Sequence, residues 1–286
     1  MRNRTEEEIN ARKQNSNQLS NAKNITNNEG GNNNISKKKQ KKANTKKHQK
    51  KKKKGISILT VFFILVAVIS ASYLIYHQWQ SHLATAQFDD LAKMEKEDVK
   101  KKYKQMVAWI DIKGTRIDYP VMECPKNDSQ YWLRRNVKGD YSINGTVFMD
   151  PNGDIENSYN LLVYGHNMTD GSMFGTLEKF ESGKYRKKHN KIHVVKWYHD
   201  GTHTEGDYKI FAYYKNSIYD NENHLDYADI QTEEEFDNYI KYCKRVSTFK
   251  SKIKPKYGDE LVTLSTCSYH VLGRDGRQVL VGIKQN

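Results

Sequence analysis

A thiol, an imidazole and two guanidinium groups stand at places in this chain where covalent acyl chemistry could be done. Cys267 closes the apolar run Leu261-Val-Thr-Leu-Ser-Thr-Cys267, and a polar segment then leads into a second run, Gln278-Val-Leu-Val-Gly-Ile-Lys284. A thiol at a strand end is held rigidly yet can reach solvent, as a nucleophile must. Arg274 and Arg277 lie beside it in sequence. A guanidinium near a cysteine favours the thiolate and can hold the negative oxygen of a tetrahedral intermediate. His166 follows the strand-like Asn160-Leu-Leu-Val-Tyr-Gly165, a position suited to acid–base work near neutral pH.

The remaining histidines and cysteines have blander settings. His189/His193 and His199/His203 are spaced i,i+4, but in segments that read as a strand and a Gly-containing turn, while His224 and His270 read as lone polar-loop residues. Neither His-Glu-x-x-His nor a paired Cys-x-x-Cys occurs, which argues against zinc. With three cysteines, an odd number, at least one thiol should be free. Cys243 continues the helical spacing of Phe236, Tyr239 and Ile240 and reads as core, and Cys124, before Pro125, has nothing to activate it.

To position Cys267 and His166 the chain needs strands. Period-two or continuous apolar patterns mark Val107–Ile112, Thr115–Val121, Gly145–Met149, Asn160–Tyr164, Lys191–Tyr198, Tyr208–Lys215, Glu260–Thr266 and Gln278–Lys284, eight in all. Helical patterns at about Ser172–Phe180 and Thr232–Val246 interrupt them, and Ser81–Met106 reads as an amphipathic helical stalk. No repeat of solenoid or propeller length occurs. The expected fold is mainly β, a mostly antiparallel barrel with a few peripheral helices over residues 107–286 behind a stalk at 77–106.

Residues 1–54 carry 17 basic and 4 acidic side chains, +13 of the chain's +14, so the rest is nearly neutral and a nucleic-acid-binding domain is not expected. That tail, with 12 Asn and no aromatic residue, cannot bury a core; it reads as a polybasic cytoplasmic segment, either solvated or touching anionic lipid. Gly55–Tyr76 then gives 22 uncharged residues, enough to cross a hydrocarbon core of ~30 Å. Lysines on its N-terminal side place the N-terminus in the cytoplasm and the remainder outside. Ser70-Ala71-Ser72 could serve a signal peptidase, but secretory apolar regions run only ~7–15 residues, which favours an uncleaved single-pass anchor.

Thr263-Leu-Ser-Thr-Cys267 with an arginine ten positions later, preceded by a strand and Gly165-His-Asn-Met168 and by Gly171-Ser-Met-Phe174, resembles the sortases, and among them class B. The resemblance spans roughly Gln105 to Lys284 and implies a closed eight-stranded sortase-type β-barrel with an N-terminal helix. It also implies a cysteine transpeptidase that needs no cofactor or metal. Cys267 would be the nucleophile, His166 the general acid/base and Arg277 the oxyanion and substrate group, with Arg274 the nearer alternative. By the same resemblance Ser265 and Leu133 would bind substrate, although Ser129 stands where relatives often carry Asn. Ser265 also shares the strand face of Cys267 by the period of two. The polar segment Asn216–Asp229 is expected to lie over the groove. The implied partners are surface proteins with a C-terminal sorting signal, cleaved after Thr, and a peptidoglycan precursor or cross-bridge amine of a Gram-positive wall. A membrane-anchored endopeptidase using water as acceptor is the alternative.

Overall fold

The computed structural model describes residues 57–125, 127–267 (Cys267 through its backbone) and 275–285. The tail 1–54, His270 and Arg274 lie outside the described residues. In chain order the elements are α1 (Ile58–Ala92), α2 (Lys96–Lys102), β1 (Met106–Asp111), β2 (Asp118–Met122), β3 (Phe148–Met149), β4 (Asn160–Tyr164), α3 (Gly183–Lys188), β5 (Lys191–Trp197), β6 (His203–Ser217), α4 (Glu233–Val246), β7 (Glu260–Cys267) and β8 (Gly276–Lys284). Short 3-10 turns cover Tyr131–Arg134, Leu177–Glu181 and His224–Tyr227.

The eight strands close into a barrel in the order β1-β2-β3-β4-β7-β8-β6-β5. Pairs β2·β3 and β4·β7 are parallel and the other pairs antiparallel, so the expected barrel is found with two parallel seams. The parallel β4·β7 pairing matters most, because it carries two distant stretches of sequence to the same end of the barrel.

Why these strands lack clean polar alternation follows from their two buried faces. On β7, Val262 and Leu264 enter the barrel core, while Leu261 joins a second cluster under α4 with Phe236, Tyr239, Ile240 and Cys243. Helix α4 starts at a capping box: Thr232 Oγ1 accepts from the Glu235 N–H at 3.3 Å and the Glu235 carboxylate accepts from the Thr232 N–H at 3.0 Å. Such reciprocal capping satisfies two donors that the first helical turn leaves unpaired.

Four segments depart from the sequence pattern. Strand β6 spans His203–Ser217, beyond the expected Tyr208–Lys215 at both ends, because the chain from His203 pairs back on β5. Of Gly145–Met149 only Phe148 and Met149 are strand, because Gly145 takes φ +60° and the Thr146 N–H turns to the Trp132 carbonyl. The pattern at Ser172–Phe180 is not one helix: Met173 sits at φ +49° and helical turns begin only at Leu177. The stalk is not a separate element either. Helix α1 runs unbroken out of the apolar segment to Ala92, and the chain turns through Lys93–Glu95 before α2. At ~1.5 Å per residue α1 is ~52 Å long, and its first half is apolar enough to cross a membrane. Its second half buries Ser81, Ala84, Phe88 and Leu91, one face at 3-4-3 spacing, against the barrel, with Phe88 edge-on to Tyr119.

Candidate active site

Strand register assembles the site. In the β4·β7 ladder Tyr164 is abreast of Ser265, and the Gly165 N–H donates to the Ser265 carbonyl at 3.3 Å. Two residues further along each chain come His166 and Cys267. In the β7·β8 ladder Cys267 is paired with Arg277. Adjacent strands are ~4.8 Å apart, so Cys267 and Arg277 lie abreast, and His166, two residues past the end of β4, leaves the same end of the barrel although 111 positions separate it from Arg277.

His166 is held from below. Its Nε2 is 2.8 Å from the Leu133 carbonyl oxygen. A carbonyl only accepts, so Nε2 carries the proton and Nδ1 is the nitrogen left to exchange one. Burial pushes the His166 pKa below the ordinary histidine value, the Leu133 bond opposes this, and the positive charge of Arg134 adds to the lowering. The imidazole is therefore neutral at pH 7, as a base must be. Gly145 makes the Leu133 carbonyl possible where it is: a β-carbon there would come within 2.6 Å of that oxygen and 2.7 Å of the Trp132 oxygen. The neighbouring Asn144 is locked to the long helix, accepting from Ser81 Oγ at 3.1 Å and donating to the Ser81 carbonyl at 3.3 Å.

A cavity of about 430 Å³ opens beside these residues, lined among others by Leu133, His166, Leu225, Ser265, Thr266 and Arg277. Leu133 and Ser129 both line this cavity. Ser265 lies in its floor, fully buried, with Oγ 2.8 Å from His224 Nε2. The half-buried Arg277 donates to the Gly276 carbonyl at 2.9 Å, and its charge acts on both Tyr164 and His224. Arg274 and the Cys267 side chain lie outside the described part.

The other two thiols are buried and unsuited to attack. Burial pushes Cys124 up to about 12 and raises Cys243 further, so both stay protonated at neutral pH.

His224 is the residue that sequence reasoning passed over. It sits in a polar run, yet it is fully buried. Asn223 caps its 3-10 turn, the Asn223 side chain accepting from the Leu225 N–H at 2.9 Å and the Asp226 carboxylate from the Asn223 N–H at 2.8 Å. From β4, Asn160 Nδ2 donates to the Tyr227 carbonyl at 2.7 Å. Only the Asn-x-x-Asp spacing advertised this turn; nothing local announced its burial. Burial, and secondarily the charge of Arg277, drops the His224 pKa to about 3.

Comparison with known proteins agrees with this fold. The family model described as "Sortase domain" matches residues 110–284. Sortase B of Listeria monocytogenes is 33% identical over 204 residues, covering 70% of this chain and 77% of that protein. Its solved structure superposes with a TM-score of 0.55 at 30% identity, covering 66% of this chain and all of that one. Sortase B of Clostridium perfringens gives 0.57 at 25% identity, covering 67% of this chain and all of that one. Barrel, groove and family match converge: the chain belongs to the sortase family of cysteine transpeptidases, in its B class.

Proposed function

We propose that this chain cleaves a C-terminal sorting signal after Thr and joins the carboxyl so freed to a cell-wall amine. The observation that carries the reading is the strand register: Cys267 is paired with Arg277 across β7·β8, and β4, parallel to β7, ends two residues before His166, which lines the groove together with Arg277. In this mechanism Nδ1 of the neutral His166 takes the Cys267 thiol proton, the thiolate so formed attacks the threonine carbonyl, and Arg277 holds the negative oxygen of the tetrahedral intermediate. His166, through Nδ1, protonates the departing amine. The carbon–nitrogen bond breaks and a thioester remains. An incoming amine gives its proton to His166 and attacks the thioester; a new amide bond forms, the carbon–sulfur bond breaks, and the departing thiolate takes the proton back from His166.

The apolar half of α1 supports anchoring in the membrane, and the 17 basic residues ahead of it favour an N-terminus inside and a barrel outside. The continuous helix would then hold the groove close to the outer face, where sorting signals and lipid-linked wall precursors are both at hand.

The test uses the full chain in detergent micelles, a panel of peptides with Thr at the scissile position, and glycine-type and diaminopimelate-type amines, with products identified by mass. A new amide after Thr, lost in Cys267→Ala and in His166→Ala, is expected. Hydrolysis alone with every amine would replace the transpeptidase with the endopeptidase.

A further inference from the structure

The pair formed by His224 and Ser265 has no part in the mechanism above. His224 is wholly buried, its Nε2 is 2.8 Å from Ser265 Oγ, and its Nδ1 has no hydrogen-bond partner among the described residues. The capped turn His224–Tyr227 cannot swing away. Asn160 fastens the Tyr227 carbonyl to β4, and the Tyr227 ring stacks on Tyr239 of α4 at 4.7 Å. Ser265 in turn lies in the floor of the groove.

Two neutral tautomers are conceivable. With the proton on Nδ1, a buried N–H is orphaned, and Ser265 must spend its own proton on Nε2. With the proton on Nε2, the imidazole donates to Ser265 Oγ and leaves only a lone pair unpartnered at Nδ1. Orphaned buried N–H groups are the rarer and more expensive defect. The doubly protonated form is excluded by burial next to the Arg277 charge.

We propose that His224 is a positioning residue of the groove: its Nε2–H donates to Ser265 Oγ and so turns the serine O–H outward, as a donor to a backbone carbonyl of the bound peptide. The proposal rests on the groove being the peptide site. A serine alone could present either its lone pairs or its proton. Paired with a fixed donor, it presents the proton, and the segment Asn216–Asp229 thereby sets the polarity of the groove floor without touching the substrate through His224.

The experiment has a peptide-independent and a peptide-dependent arm, both on the full chain in micelles. In the first, imidazole 15N spectra at pH 7 of wild type and of His224→Gln, which assigns the signal, read the tautomer. An Nε2–H imidazole is expected, and an Nδ1–H imidazole overturns the proposal. In the second, KM and kcat are measured with the fastest quenched fluorogenic Thr-peptide of the panel. Loss of one neutral hydrogen bond raises KM about 3- to 10-fold in Ser265→Ala and in His224→Phe, with kcat nearly constant. Gln, which also presents an N–H, keeps KM within about twofold of wild type at position 224. The double variant Ser265→Ala/His224→Phe is expected to be no worse than Ser265→Ala. A further rise in KM there would assign His224 a merely structural part and overturn the proposal. Wild type that turns over no peptide would overturn both this inference and the reading on which it rests, whereas active wild type with unaffected His224→Phe would overturn this one alone.

Discussion

Acidification should unfold this protein earlier than an equivalent chain without His224, and the size of the effect follows from where that imidazole sits. In the unfolded chain it titrates near 6.5; in the fold, burial and Arg277 hold it at about 3. Between those values the unfolded state binds a proton that the folded state refuses, so stability is complete above pH 6.5 and falls as the pH drops toward 3. Each pH unit in that window is worth ~1.4 kcal/mol, so about 2 kcal/mol is lost from this group by pH 5. For a domain of this size that corresponds to a Tm lower by about 4–8 °C. The assay is thermal unfolding followed by tryptophan fluorescence at pH 7 and pH 5, wild type against His224→Gln, since Trp109, Trp132 and Trp197 are all buried in the barrel domain. His166, also lowered, acts in the same direction, but it is present in both proteins and cancels in the comparison. The wild type should lose more Tm than the variant by the amount stated. Equal losses would refute the reasoning, because they would mean that His224 is solvated or already paired in its charged form.

Three other outcomes follow from single contacts. Gly145→Ala puts a methyl group against the Leu133 and Trp132 carbonyl oxygens at a backbone φ of +60°, so it should cost about 1–3 kcal/mol of stability and, by shifting the support of His166, lower kcat/KM at least tenfold; thermal unfolding and peptide kinetics read the two separately. Arg277→Ala should nearly abolish thioester formation while Arg274→Ala keeps most of it, as mass spectrometry of the acylated chain would report; the reverse result would exchange their roles. Thr232→Ala removes half of the α4 capping box and should cost about 1 kcal/mol in denaturant titrations, with KM unchanged.

The strands were legible in the sequence because the barrel is closed by short apolar runs, and six of the eight patterns have nearly the observed bounds, while β6 runs on both sides of the Tyr208–Lys215 pattern, from His203 to Ser217. Gly145–Met149 failed because its first residues answer to carbonyls of the 3-10 turn at Tyr131–Arg134, a partner no local pattern reveals. The same holds at Ser172–Phe180, where Met173 at φ +49° gives its N–H to the Tyr119 hydroxyl, 54 residues earlier in the chain. Cys243 was readable as core from helical spacing alone because α4 is amphipathic and capped, with both signals local.

The site divides along the same line. Cys267 and Arg277 face each other across an antiparallel pair that closely follows the sequence, but His166 reaches them only through the parallel β4·β7 seam, and parallel pairing between distant strands leaves no turn signature to be read. Ser265 shows how a correct local rule can mislead about environment. The period of two points it toward the groove, which it lines, yet its Oγ is also engaged by the buried His224 imidazole, a partner 41 residues away that no strand pattern reveals. A polar run such as Asn216–Asp229 looks solvated because its composition is that of a loop. It is folded inward because Asn223, Asp226 and Asn160 satisfy its backbone and leave His224 and Tyr227 to be buried. Polar residues that spend their hydrogen bonds on their own turn no longer need water, and that makes a polar segment able to form the roof of a groove.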